Sequence, residues 1–352
     1  MPAFSPARSS EEPVVRMFAT CMPGLAPLLA KQLSTFENAK VVWLGNDGRA
    51  DLVSFTVGSA MAGLVAQLAR IADDLFLQIG HARRSDGDRA GWLAQRLCRN
   101  DQLAAATTRA GRAATSLTFR VVVRVLSERS FPRTDLRRHA EAAIMRLRAS
   151  WHHHDPASNE VWISEYWPGL FVAGLRVTDR DHRQRGGRQV ERDGALRPGI
   201  AAALVSLAGQ PEGMLVDPCC GSGTVLAEAS AIGWQVLGFD VDPDAVAAAM
   251  ANVSGATATA GDARRLDLAD GEAAAWVSNV PFGHRHRLPS DSVAWFRAVL
   301  GEAARVVRFG GRVVVLSAGL PEGSAPALLR PCNSCRARVL GRAAVIDVFI
   351  RV

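Results

Sequence analysis

Four short runs in the second half of the chain carry residue types that could do chemistry. "DPCCGSGT" (Asp217–Thr224) follows the apolar pair Leu215 and Val216 and precedes the helical run that starts at Val225. Glycines in such a strand-to-helix turn let the backbone press against a ligand, while the unpaired N–H groups of the helix face the crevice at the strand ends. "WQVLGFD" ends in Asp240, seventeen residues beyond Gly223, where a carboxylate can accept hydrogen bonds from both hydroxyls of a ribose. "TATAGDARRL" offers a third strand end at Asp262. "SNVPFGHR" closes the run 272–277 by placing an amide, a rigid proline and an aromatic ring side by side, at Asn279, Pro281 and Phe282.

Two phosphate-binding readings of the glycine turn are weakened by what it lacks. A nicotinamide dinucleotide fingerprint needs a third glycine where Leu226 stands, and a P-loop needs Gly-Lys-Ser/Thr, whereas this half of the chain holds no lysine. What remains is a ligand with a ribose and an adenine but no phosphate to hold. S-adenosylmethionine meets that description, with Asp217 near the ammonium of its methionine part.

The elements that position these runs follow from the whole chain. At 352 residues it is long for one core, so two or three domains are expected. No stretch approaches the roughly eighteen uncharged apolar residues of a membrane helix, and the N-terminus lacks a signal-peptide layout, so a cytoplasmic protein is expected. Six cysteines give no disulfide framework, and Cys332 and Cys335 supply half a zinc site, so no metal is expected. His152, His153 and His154 precede the turn "DPASN" and read as an exposed loop. The net charge of +7 is uneven: residues 83–148 carry fifteen arginines against six carboxylates, while residues 199–352 are slightly acidic. The arginine fork matches phosphate oxygens, which makes the front half a candidate nucleic-acid footprint.

Residues 1–13 are polar and proline-rich and read as a disordered tail. Residues 14–80 fit a small α+β unit, with Leu25, Leu28, Leu29, Leu33 and Phe36 at helical spacing and "RADLVSFTV" alternating like a half-buried strand. Residues 81–178 fit a second α+β domain. It contains a strand over 117–126, a helix over 133–151 with Leu136, Ala140, Ala143, Ile144 and Leu147 on one face, and strands over 160–167 and 170–177. Residues 179–194 lack apolar periodicity and read as a basic linker. From 195 to 352 helices alternate with parallel-type strands, the signature of an open α/β sheet.

Taken in order and spacing, "DPCCGSGT", "GFDVDPDAV", "GDARRL" and "SNVPFG" resemble a class I methyltransferase of the RNA-modifying type that carries an N-terminal THUMP domain, above all the tRNA guanosine-N2 methyltransferases. Upstream, "ATCMPGLAPLLAKQL" is similar to the opening of that family's ferredoxin-like subdomain, "FPRTDLRRHAEAAI" to its THUMP helix, and "GALRPGIAAALVSLAG" to the segment leading into its catalytic fold. The resemblance implies an α/β fold: a C-terminal Rossmann-like, mostly parallel seven-stranded sheet, behind an N-terminal α+β ferredoxin-like/THUMP region that binds RNA. It implies a monomer acting on tRNA, with no membrane or metal partner.

The same resemblance assigns S-adenosylmethionine to Asp217, Cys219, Gly221, Gly223 and Thr224, its ribose to Asp240 and its adenine amino group to Asp262, with Arg197 and Pro198 on the lip. Methyl transfer to an exocyclic amine then explains the fourth run. Such a nitrogen is a poor nucleophile because its lone pair is delocalised into the base. The side-chain carbonyl of Asn279 and the backbone carbonyl of Val280, fixed by Pro281, can accept its N–H groups, and Phe282 can stack on the base, an arrangement whose benefit is orientation. Arg133, Arg137 and Arg138, the linker arginines Arg183, Arg185, Arg188 and Arg192, and Arg285 beside the loop are the candidate RNA contacts. Val280 stands where many relatives have proline, and Asn279 where some have aspartate, which leaves open the base amine. Ribosomal RNA as substrate, and a cofactor- and RNA-binding protein without turnover, also stay open.

Overall fold

The computed structural model describes residues 13–85, 89–112, 118–126, 131–179, 181–185, 189–281, 291–339 and 341–352. Two compact units divide the chain: the first takes in residues through Thr20, Leu29–Ala69 and Asp74–Thr178, the second Cys21–Leu28, Arg70–Asp73 and Asp179–Val352.

The first unit is an α+β structure on one eight-stranded sheet. Its strands are β1 (Val14–Cys21), β2 (Lys40–Asn46), β3 (Asp51–Gly58), β4 (Asp74–Arg83), β5 (Thr118–Arg124), β6 (His152–His153), β7 (Asn159–Trp167) and β8 (Leu170–Arg176), in the order β2-β3-β1-β4-β8-β7-β5-β6. Segments 14–80 and 81–178 thus share a sheet, joined where β4 pairs antiparallel with β8. β5 and β7 run parallel, which demands a crossover, and the helix Arg133–Leu147 is that crossover. It buries Leu136, Ala140, Ala143 and Ile144, four of the five positions expected on its inner face. Gly174 in β8 clears room for the stacked rings of Phe18 and Phe76, 4.6 Å apart, since a Cβ there would lie 2.4 Å from Phe18. β3 departs from the half-buried reading: Leu52, Val53, Ser54 and Phe55 are buried in succession, so both of its faces are covered.

The second unit carries β9 (Met214–Asp217), β10 (Gln235–Asp240), β11 (Thr257–Ala260), β12 (Ala273–Asn279), β13 (Val307–Ser317), β14 (Leu329–Val339) and β15 (Arg342–Arg351). Their order is β11-β10-β9-β12-β13-β15-β14, parallel except for β15, which runs antiparallel between β13 and β14. This is the mostly parallel seven-stranded sheet that the sequence led us to expect. Buried on both faces, β12 reads as an unbroken apolar run through Val277. Trp276 lies at the centre of the core with Val216, Phe239, Phe296 and Phe349. The chain leaves β9 toward β10 and β11 on one side and later builds β12 and β13 on the other. Such a reversal opens a crevice at the carboxyl ends of β9 and β12.

Candidate active site

The floor of that crevice is the turn between β9 and the helix Thr224–Ser230. Gly221 and Gly223 have φ of +54° and +83°, a region open to glycine and strained for other residues. A Cβ on Gly223 would also stand 3.0 Å from Val253 and 3.1 Å from the Ala249 backbone, so the helix Pro243–Asn252 closes up against the turn only because position 223 is bare. The N–H groups of Gly221 and Asp242 donate to the two oxygens of Asp240 at 2.9 and 3.1 Å. That fixes the carboxylate at the end of β10 and leaves it further lone pairs for a diol. Asp217 is only 1 % exposed and accepts the Cys219 N–H at 3.2 Å. Burial raises its pKa to about 8 against that N–H, with the charge of Asp240 pushing the same way. An acid held like this is ready to ionise when a cation arrives.

The far wall is the end of β12. Asn279 pairs with Leu316, and the Val280 N–H bonds the Leu316 carbonyl at 3.2 Å, which anchors the strand exit to β13. The Asn279 Oδ1 is buried and has no hydrogen-bond partner among the described residues. An acceptor left like this is costly unless a ligand satisfies it. Beyond β11, Asp262 is clamped by Arg264, whose Nε lies 3.0 Å from each carboxylate oxygen. This side-chain contact is the main reason that its pKa is lowered. The irregular segment behind it is held by Glu302, which accepts the Leu266 N–H at 2.6 Å, and by Arg305, which donates to the Leu268 carbonyl at 2.7 Å.

Floor and wall line one cleft of about 640 Å³. Of the residues singled out from the sequence, Asp217, Cys219, Gly221, Thr224, Asp240, Asp262, Arg197, Asn279, Val280 and Pro281 all line it. Gly223 lies beneath the turn, and Pro198 is buried at the first position of the helix Pro198–Ala208. Phe282, Arg188, Arg285 and residues 1–12 of the tail fall outside the described residues. Arg133, Arg137 and Arg138 are exposed on their helix, where Arg138 pairs with Asp135 at 3.1 Å and Arg137 approaches Glu141 at 3.8 Å. Arg183 is half-buried in the short turn Asp181–Gln184. Arg185 is turned inward: it donates to the carbonyls of His182 and Arg70 and stands 3.5 Å from the buried Glu228, which also takes the Arg70 guanidinium at 2.7 Å. Arg192 pairs with Asp242 at the cleft edge.

Sequence reading missed several of the lining residues. Ser222 is 4 % exposed, lines the cleft and has no partner for its Oγ among the described residues; its place inside "CCGSGT" was the available signal. Val241, 73 % exposed beside Asp240, offers an apolar face for a flat ring. Trp295 and Arg342 arrive from a helix and a hairpin that no local motif connects to the site. Asn252 ties the roof to the floor. Its side chain exchanges two 2.9 Å bonds with the Val190 backbone and donates to the Ser222 carbonyl at 3.0 Å.

The first unit has a concave feature of its own, about 620 Å³, lined by Arg16, Arg96, Arg99 and Arg109. Arg99, Gln102, Ala106 and Arg109 fall at i, i+3, i+7 and i+10 along the helix Asn100–Arg109 and its cap, so one stripe presents a cation at each end with a small residue between. His81 also lines it, bonded to the Tyr166 hydroxyl at 2.7 Å, with its pKa lowered by burial and by Arg16. Among the described residues no cluster of three or more His, Cys, Asp or Glu side chains is suited to a metal, and no helix is long and apolar enough to cross a membrane.

The reversed sheet and its glycine turn define a class I methyltransferase fold. Comparison with known proteins agrees. Residues 185–323 match the family model UPF0020, described as RMKL-like, methyltransferase domain. The tRNA (guanine(10)-N2)-dimethyltransferase of Pyrococcus abyssi is 30 % identical over 156 residues, 42 % of this chain and 46 % of that protein. The U6 snRNA (guanine-N(2))-methyltransferase THUMPD2 of Mus musculus is 33 % identical over 130 residues, 34 % of this chain and 24 % of that protein. The chain thus spans less than half the length of these curated relatives. The crystal structure of TrmN from Thermus thermophilus has the same fold over 96 % of this chain and 100 % of that one, with a TM-score of 0.78 at 24 % sequence identity.

Proposed function

We propose that the protein transfers a methyl group from S-adenosylmethionine to the exocyclic N2 amine of a guanosine in tRNA, as a cytoplasmic monomer. On this reading residues 14–80 and 81–178 form the RNA-binding part, 179–194 the linker and 195–352 the catalytic domain. One observation carries it: Asn279, whose side-chain carbonyl is buried and has no hydrogen-bond partner among the described residues, lines the same cleft as the glycine turn and Asp240. The chain's residues suit this cofactor in charge and shape. Asp217 would face the ammonium, Asp240 the ribose hydroxyls, Val241 the face of the adenine and Asp262 its amino group. When bound, S-adenosylmethionine supplies a methyl already activated on a sulfonium.

Asn279 and Val280 then have two tasks. Their carbonyls accept the two N–H groups of the amine, which draws the nitrogen toward a pyramidal shape and aims its lone pair across the cleft. They also hold the base in register, so that the gain is largely one of orientation. The target base must leave its stack to reach Asn279. The arginine-lined groove of the first unit supports a backbone grip that positions RNA without reading its sequence. The names of the curated relatives support guanine N2 as the acceptor. Purified tRNA and ribosomal RNA, each incubated with enzyme and labelled donor and digested to nucleosides, test the proposal by mass spectrometry. N2-methylguanosine from tRNA is expected, and label in another nucleoside, or none, refutes it.

A further inference from the structure

We propose that Arg342, carried over the cleft on the β14–β15 hairpin, holds a phosphate of the substrate strand next to the nucleotide presented to Asn279. The inference rests on the RNA-methylating reading and adds to it a residue that grips substrate.

Strand register locates the residue. β15 runs antiparallel to β13, so its first residue lies on the same sheet edge as the ends of β12 and β13. Asn279 stands opposite Leu316, and Leu316 opposite Ile346. Arg342 lies four residues beyond that level, about 13 Å at the strand rise, and two strands to the side, about 10 Å. Its partner across the hairpin is Val339, with Gly341 at φ +80° in the turn, which fixes where the tip projects. Arg342 is exposed and lines the same cleft as Asn279.

Lateral order then separates cofactor from substrate. Asp240 and Asp262 follow β10 and β11, on one side of β9, whereas β15 lies beyond β12 on the other. Arg342 is therefore on the acceptor side, overhanging the space that a nucleotide's backbone occupies when its base reaches down to Asn279. Among the described residues it makes no ion pair, and five carboxylates line the cleft with it: Asp240 is held by two N–H groups, Asp242 by Arg192, Asp262 by Arg264 and Asp217 by the Cys219 N–H, while Asp193 sits on the 189–197 segment beside Arg192. A guanidinium has only donors to offer, in a planar fork matched to phosphate oxygens. An incoming phosphate is the anion that fits.

Arg342→Ala and Arg342→Lys, with Arg330→Ala at the far end of β14 as control, are compared with wild type for methyl transfer to tRNA, direct tRNA binding across a salt series, and S-adenosylmethionine affinity by calorimetry. In Arg342→Ala the KM for tRNA should rise about ten- to hundredfold, as for the loss of a charge-assisted hydrogen bond. The slope of log affinity on log salt should become shallower by about 0.7, one phosphate contact fewer. Cofactor affinity should hold, Arg342→Lys should fall between the two, and Arg330→Ala should match wild type. Unchanged tRNA KM and salt slope would overturn the inference, as would weakened cofactor affinity with tRNA binding intact, which would give the guanidinium to the cofactor's carboxylate. Wild-type enzyme that methylates no RNA is a different failure: it removes the RNA reading itself, and this inference with it.

Discussion

Replacing Asp217 by asparagine should uncouple cofactor binding from pH. The free protein keeps this carboxyl protonated through neutrality, because burial, aided by the charge of Asp240, raises its pKa to about 8. A ligand bearing an ammonium binds the ionised form, so at about pH 6 only about one molecule in a hundred is competent, and affinity should improve about tenfold per pH unit toward pH 8. From about pH 5.5 to 7 the ligand's own amine stays largely charged, which leaves Asp217 to set the slope. Calorimetry of S-adenosylmethionine binding, in two buffers of different ionisation enthalpy, should detect close to one proton released per ligand at about pH 6.5. Asp217→Asn should show no such release and a flat profile near the wild-type affinity at low pH. Stability of the free protein gives the matching sign. Folded Asp217 holds a proton that the unfolded chain gives up near pH 3.9, so stability falls as pH rises from there through about 8, and the asparagine variant should lose this part of the decline. Wild-type affinity independent of pH, with no buffer-dependent heat, would refute the reasoning.

Three further outcomes follow from single contacts. Asn279→Ala should lower kcat by about 10² or more while leaving cofactor affinity in place, measured by single-turnover methyl transfer, because the lost acceptor acts on the amine alone. Gly223→Ala should destabilise the fold by about 2 kcal/mol, read from urea midpoints, since it combines a left-handed backbone with a Cβ 3.0 Å from Val253. Glu228→Ala should cost about 3 kcal/mol by the same assay, because it strands the guanidinium groups of Arg70 and Arg185 beside an apolar cavity.

Much of the second unit was legible because its chemistry sits at strand ends, where apolar runs stop at Asp217, Asp240 and Asn279. Local periodicity likewise placed the buried face of the helix Arg133–Leu147. What stayed hidden depends on neighbours in space. Alternation in "RADLVSFTV" suggested one wet face, yet β3 sits inside a sheet with Leu52 in an aromatic cluster with Phe18, Phe76 and Trp162, and both faces are dry. Arg185 looked like one more linker cation until the fold set it beside Glu228, 43 residues along the chain and buried. Trp295 and Arg342 reach the cleft through the packing of a helix and the overhang of a hairpin, which no spacing in their own segments encodes.

The carboxamide of Asn252 gives the cleft a particular vulnerability. Its oxygen faces one N–H and its nitrogen faces two carbonyls, so the group fits in only one chemical form. Conversion to aspartate, by mutation or by slow loss of ammonia as the protein ages, would set an anionic oxygen against the Val190 and Ser222 carbonyls and prise the 189–197 strap from the glycine turn. An old preparation would then lose grip on its small-molecule ligand while keeping its fold, with a gain of one negative charge as the visible mark.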